Sequence, residues 1–174
     1  MMPRHSLIGN RSGSAAAEMA LVLPLLLILM MGSVELGNYF YNEHKLVKSV
    51  RDGARYAARQ RFVNYTACTG APTDPVPADT ELMVRKGTLD STAPDLLANW
   101  DDADFQMSVT CTATVDDADG TYDVAGIYAN SAGGAPTVLV SVELPYRPLL
   151  ATPFGFSGSG MSLDASQSAA VAGL

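Results

Sequence analysis

Histidine and cysteine are almost missing from this chain, with two of each among 174 residues. Two cysteines cannot make a tetrahedral metal site alone, and the only histidines are His5 and His44. His44 lies in a helical pattern with no serine or cysteine that spacing can pair with it. A nucleophile–base pair is therefore not visible, and neither an enzyme nor a cofactor is expected. Aromatic residues make up only 7% of the chain, with one tryptophan. No internal repeat is present, which excludes a solenoid. Acidic residues are absent before Glu18, where the only charges are Arg4 and Arg11. Bases are scarce at the other end: beyond Phe62 there are 14 acids against three bases. So acidic a head argues against nucleic acid as its partner.

What the chain does have is one long apolar run. Residues 19–31 carry nothing polar and are interrupted only by Pro24. Residues 15–34 make about 20 residues, or ~30 Å of helix, which spans a bilayer with Glu18 near the interface. Pro24 removes one backbone hydrogen bond, which membrane helices tolerate. Residues 1–13 are short, basic and acid-free, so the positive-inside rule puts the N-terminus in the cytoplasm. A cleaved secretory signal would need small residues at −3 and −1. Gly32 and Ser33 are adjacent, while Met30 and Met31 occupy the wrong places. An uncleaved signal anchor remains an alternative.

Helical spacing does not stop at the membrane. Leu36, Tyr39, Phe40, Leu46, Val47, Val50, Ala54, Ala57 and Ala58 recur at i, i+3, i+4 and i+7. A single helix is expected over residues 14–62, about 70 Å long at ~1.5 Å per residue. Its outer half has a basic flank: Arg51, Arg55 and Arg59 lie one turn apart on one face. A solvated face is the plain reading, and contact with an acidic surface of a neighbouring subunit is the functional one. Residues 63–174 form the head. Gly70, Pro72, Pro75 and Pro77 mark a loop over residues 64–80. Asp79 or Thr80 is expected to cap a short helix through Lys86, with Gly87 ending it, and a further helical turn follows Pro94.

Residues 105–115 alternate. Phe105, Met107, Val109, Cys111, Ala113 and Val115 share the apolar face of a half-buried strand. Residues 137–146 do the same through Val138, Val140, Val142 and Leu144, and residues 161–165 are a third strand. Residues 121–128 are ambiguous. No helix of crossover length separates these strands, so the sheet is antiparallel. The fold class is α+β: a long helix, transmembrane in its first half, packed on a small antiparallel sheet. In an extracytoplasmic head, a disulfide is the natural reading of Cys68 and Cys111, with two separate buried thiols as the alternative. Asp116, Asp117, Asp119 and Asp123 are a weak calcium candidate. Counted from Asp117, an EF-hand register puts Asp119 at position three but Tyr122 where glycine is needed, so an acidic turn is the simpler reading.

Gly13 and Ser14, the alanines before Glu18, and the apolar run after it resemble a type IV prepilin processing site. The strand leading into Pro145-Tyr146-Arg147-Pro148, then a Gly/Ser turn and a small-residue final strand, extends the likeness. The whole resembles TadE-like proteins, prepilin-type minor subunits of the Tad (Flp) pilus assembly machinery of bacteria. Met19 stands where an aromatic residue often follows the glutamate in the family, which favours a minor, pseudopilin-type subunit. The resemblance implies a pilin-like fold and cleavage by a prepilin peptidase after Gly13, giving a mature chain that begins at Ser14. It implies that Glu18 neutralises the terminal amine of an adjacent subunit. The implied partners are other Tad pilins and the pilus assembly platform. The implied site is the bacterial inner membrane, crossed once with the head periplasmic, and the cell surface once assembled. A single-span envelope protein with a ligand- or surface-binding head, and the major fibre subunit, are the rival readings.

Overall fold

The computed structural model describes residues 12–65, 68, 70–117, 120–123, 125–129, 133–150 and 160–173. Helix α1 spans Ser12–Ala58 and contains Pro24 without a break. Its 47 residues make a rod of about 70 Å. Residues 13–30 of its first half are exposed, and the second half is the spine of the head. There, Leu46, Val50, Ala54 and Ala57 form a buried stripe at helical spacing.

The stripe packs on a three-stranded antiparallel sheet. In order across the sheet, its strands are β1 (Asp104–Thr112), β4 (Ala135–Pro145) and β5 (Ser162–Ala170), while β2 (Thr114–Asp117) and β3 (Gly120–Asp123) pair as a separate ribbon. Strand alternation supplies the other half of the core. Val138, Val140, Val142 and Leu144 of the central strand β4 all turn to the helix and are buried. Met107 and Val109 flank them on one side and Leu163 on the other. Full burial of one such aliphatic side chain stabilises the head by about 1.5–3 kcal/mol. The second helix, α2 (Val76–Lys86), crosses α1 at Gly53. A Cβ there would lie 2.3 Å from Cγ2 of Val84, so only glycine lets the two helices meet this closely.

Three boundaries differ from the sequence expectation. Helix α1 stops at Ala58 rather than Phe62, because its last carbonyls are taken from outside the helix. The Tyr65 hydroxyl donates to Ala57 O, and Ala172 N–H donates to Ala58 O at 2.8 Å. Those bonds satisfy groups that every helix end leaves orphaned. Helix α2 begins at Val76, ahead of Asp79 and Thr80, with a proline in its first turn where a missing N–H costs nothing. Thr80 is thus a buried helical residue and not a cap. Gly87 does end α2, in a left-handed conformation with its N–H on Met83 O. The long alternating strand is two strands. β1 ends at Thr112, opposite Ala135, where its partner β4 begins. With no ladder beyond that point, Ala113 is exposed and the chain enters the β2–β3 ribbon.

The ambiguous stretch at residues 121–128 supplies the end of β3 and a 3-10 turn at Gly126–Tyr128. In place of a helical turn directly after Pro94 there is a 3-10 turn at Trp100–Asp102, with Trp100 buried. The segment between α2 and β1 is held by charge. Arg85 grips Asp95 through two bonds of 2.6 and 2.7 Å, and Lys86 adds a contact at 3.1 Å. The Arg85 guanidinium holds the Asp95 carboxyl down to about 2.

Candidate functional site

Two places on α1 carry the chemistry. The first is its exposed tip. Gly13, Ser14 and Glu18 lie in the opening turns of the helix and are solvent-exposed. The Ser14 hydroxyl donates to Glu18 Oε1 at 3.4 Å. A Cβ added at Gly13 meets nothing within 4 Å. Packing among the described residues therefore makes no demand for glycine at this position. Any requirement for a small residue comes from something that binds the tip. After it, residues 19–30 stay exposed, and the apolar window reaches a mean hydropathy of 2.3 with none of it buried in the head. This helix is long and apolar enough to cross a membrane.

The second place is where span and head join. Glu35 stands one residue past the apolar stretch, and its carboxylate is surrounded by donors from the far end of the chain. The Tyr146 hydroxyl donates to Oε1, Leu149 N–H donates to the same oxygen at 3.0 Å, and Leu150 N–H donates to Oε2 at 2.8 Å. Asn38 Nδ2 donates to the Tyr146 hydroxyl at 2.8 Å. The Tyr39 ring meets Tyr146 edge-on at 5.2 Å, and its hydroxyl donates to Ser162 O at 3.2 Å. Burial, and then the hydrogen bond to Glu35, push the Tyr146 hydroxyl above the ordinary tyrosine range. The tyrosine of the Pro-Tyr-Arg-Pro motif is thus a latch on the helix.

Hydrogen bonds to a charged acceptor contribute about 1.5–3 kcal/mol each, so Glu35→Ala is expected to cost the head at least ~2 kcal/mol. In a chain of this size that lowers the Tm by roughly 4–8 °C. Thermal unfolding of the full chain in detergent checks it, and a change within a degree would remove the latch from the account. The pH dependence has a definite sign. A hydroxyl whose pKa is raised on folding stabilises fully below the unfolded value and loses that contribution as pH climbs past it. The latch is expected to weaken above pH ~10, and Tyr146→Phe should flatten that part of the stability profile.

The remaining predicted residues fall as follows. Cys68 and Cys111 form a disulfide with a Cα–Cα distance of 5.1 Å. Arg51, Arg55 and Arg59 are all exposed, and Arg55 touches only Asp52, at 4.0 Å, among the ion pairs of the described residues. His44 is exposed on α1. Asp119 lies outside the described residues, as do the side chains of Asp116, Asp117 and Asp123, whose backbone belongs to β2 and β3. Glu35 escaped sequence reasoning. An acid directly after an apolar run is a visible signal, but its partners are more than 100 residues away.

A membrane-length helix continuing as the spine of a small antiparallel α+β head is the layout of pilin-like proteins. The model of the TadE-like protein family matches residues 13–55, from the exposed tip to the second arginine of the basic stripe. That stretch is similar to TadE-like proteins, and the match does not extend into the sheet of the head. No curated protein and no solved structure matches it.

Proposed function

We propose that this chain is a structural minor subunit, a pseudopilin, of the Tad (Flp) pilus, and that it has no enzymatic role. In this reading, residues 1–13 are a cytoplasmic leader removed by a prepilin peptidase. Residues 15–34 cross the inner membrane and the head faces the periplasm. Glu18 then pairs with the new α-amino group of a neighbouring subunit when the helices stack against other Tad pilins and the assembly platform. The observation that carries the reading is the tip itself. Gly13, Ser14 and Glu18 sit together, exposed, at the start of an apolar helix whose residues 13–30 are all exposed, and among the described residues a Cβ at Gly13 meets nothing within 4 Å.

Processing has a clean test because Gly13 is structurally undemanding. Gly13→Leu is expected to leave insertion and head folding unchanged while the full-length precursor accumulates in the membrane. Mass determination of the N-terminus reads the result directly. A native mature chain starting at Ser14, and a Gly13→Leu chain starting at Met1, support the reading. A native chain retaining residues 1–13, or a Gly13→Leu chain still cut before Ser14, refutes it.

A further inference from the structure

Between Gly13 and Val34 every residue is exposed except Met31, which is half-buried one turn before Glu35. Glu35 shows which end of the head is nearest the span, because its two oxygens take the N–H groups of Leu149 and Leu150. Met161 is at the same end, its carbonyl accepting from Tyr146 N–H at 2.9 Å. Leu149 is 58% exposed and Met161 50% exposed, although both side chains are apolar. Arg147 in the same turn is also exposed, as are Phe40 and Tyr41 on the neighbouring turn of α1.

We infer that this base of the head is seated in the lipid headgroup–acyl boundary of the outer leaflet, with Leu149 and Met161 as its apolar anchors. The inference rests on the reading of residues 15–34 as a membrane span. Three features favour lipid as the occupant. The patch is continuous with the lipid-facing surface of the span. Its composition, with exposed aromatics and a cation beside aliphatic side chains, is that of a bilayer interface. Most tellingly, backbone N–H groups at the edge of hydrocarbon must find partners within the protein. The N–H groups of Leu149 and Leu150 do so on Glu35. The latch thus does for an irregular turn what helical bonding does for the span.

Tryptophan emission in nanodiscs made with brominated phosphatidylcholine tests the inference on the full chain. The native Trp100 is 4% exposed in the head core and gives a constant background. Leu149→Trp and Met161→Trp each place a probe at the base. Leu26→Trp reports on the span. Leu139→Trp sits on the outer face of β4, six residues or ~20 Å along the strand from Pro145. The expected result is that Leu26→Trp and both base probes lose most of their added emission to the brominated lipid, while Leu139→Trp loses none. If Leu26→Trp is quenched but both base probes behave like Leu139→Trp, the head stands clear of the bilayer and the inference falls while the span reading stands. If Leu26→Trp is itself unquenched, the span reading fails and takes the inference with it. If the base probes shift to the blue only when a disc holds more than one chain, without quenching, the patch is a contact between copies and the inference is overturned.

Discussion

Glu18→Ala is expected to yield a chain that is cut after Gly13 and inserted in the membrane yet absent from the assembled pilus. The structure leaves little else for this carboxylate to do. It is exposed, and its one hydrogen bond among the described residues is the 3.4 Å contact from Ser14. Its removal costs the isolated chain no packing. Keeping a charge there is not free, since an acid within a span costs roughly 2.5–3.5 kcal/mol at mid-bilayer and less near the interface. A helix start does favour a carboxylate through its unpaired N–H groups and dipole, but that contributes only about 0.3–1 kcal/mol. An α-amino group on a neighbouring subunit offers more. Opposite charges ~4 Å apart interact by about 4 kcal/mol at an effective dielectric near 20, before desolvation is subtracted. That is enough to select both partner and register. Glu18→Asp should be intermediate, because its shorter arm reaches less far. Cross-linking in cells reads the outcome, and normal entry of the Glu18→Ala chain into the assembly would reduce Glu18 to a helix-end charge.

Loss of the Cys68–Cys111 bond is expected to have the largest effect on stability. The two cysteines are 43 residues apart in sequence. Closing a loop of that length stabilises by about 4 kcal/mol in the chain-entropy model. The position of the bond adds to its consequence. Cys68 follows the 3-10 turn at Phe62–Tyr65, which comes shortly after the end of α1 at Ala58, and Cys111 lies in β1 opposite Pro136 of β4. The bond therefore fastens the end of the spine to the sheet, next to the hydrogen bond from Val109 N–H to Gly70 O at 2.7 Å. A Cys68→Ser, Cys111→Ala double variant should lose roughly 8–16 °C in Tm, taking 2–4 °C per kcal/mol for a chain of this size. Non-reducing mass analysis of exported protein provides the independent check. Two free thiols there, or a double variant as stable as the parent, would show that the bridge contributes nothing.

Local chemistry determined a good part of this protein. A run of apolar residues long enough to span a bilayer is legible because composition alone decides it, and the tip at Gly13 and Glu18 is legible because both residues border that run. The buried stripe of Leu46, Val50, Ala54 and Ala57 and the inward row of Val138, Val140, Val142 and Leu144 follow from periods of 3.6 and two, which need no partner to be read. The disulfide was legible because only two cysteines exist to pair. What the sequence could not decide is wherever a residue's state depends on a group far along the chain. Helix α1 ends at Ala58 because Tyr65 and Ala172 claim its carbonyls. β1 ends at Thr112 because β4 begins opposite it. Glu35 read as one acid beside an apolar run until folding brought Tyr146, Leu149 and Leu150 around it, 111 to 115 residues away. Periodicity reports which face of an element is buried, and only the closed tertiary structure reports which donor meets which acceptor.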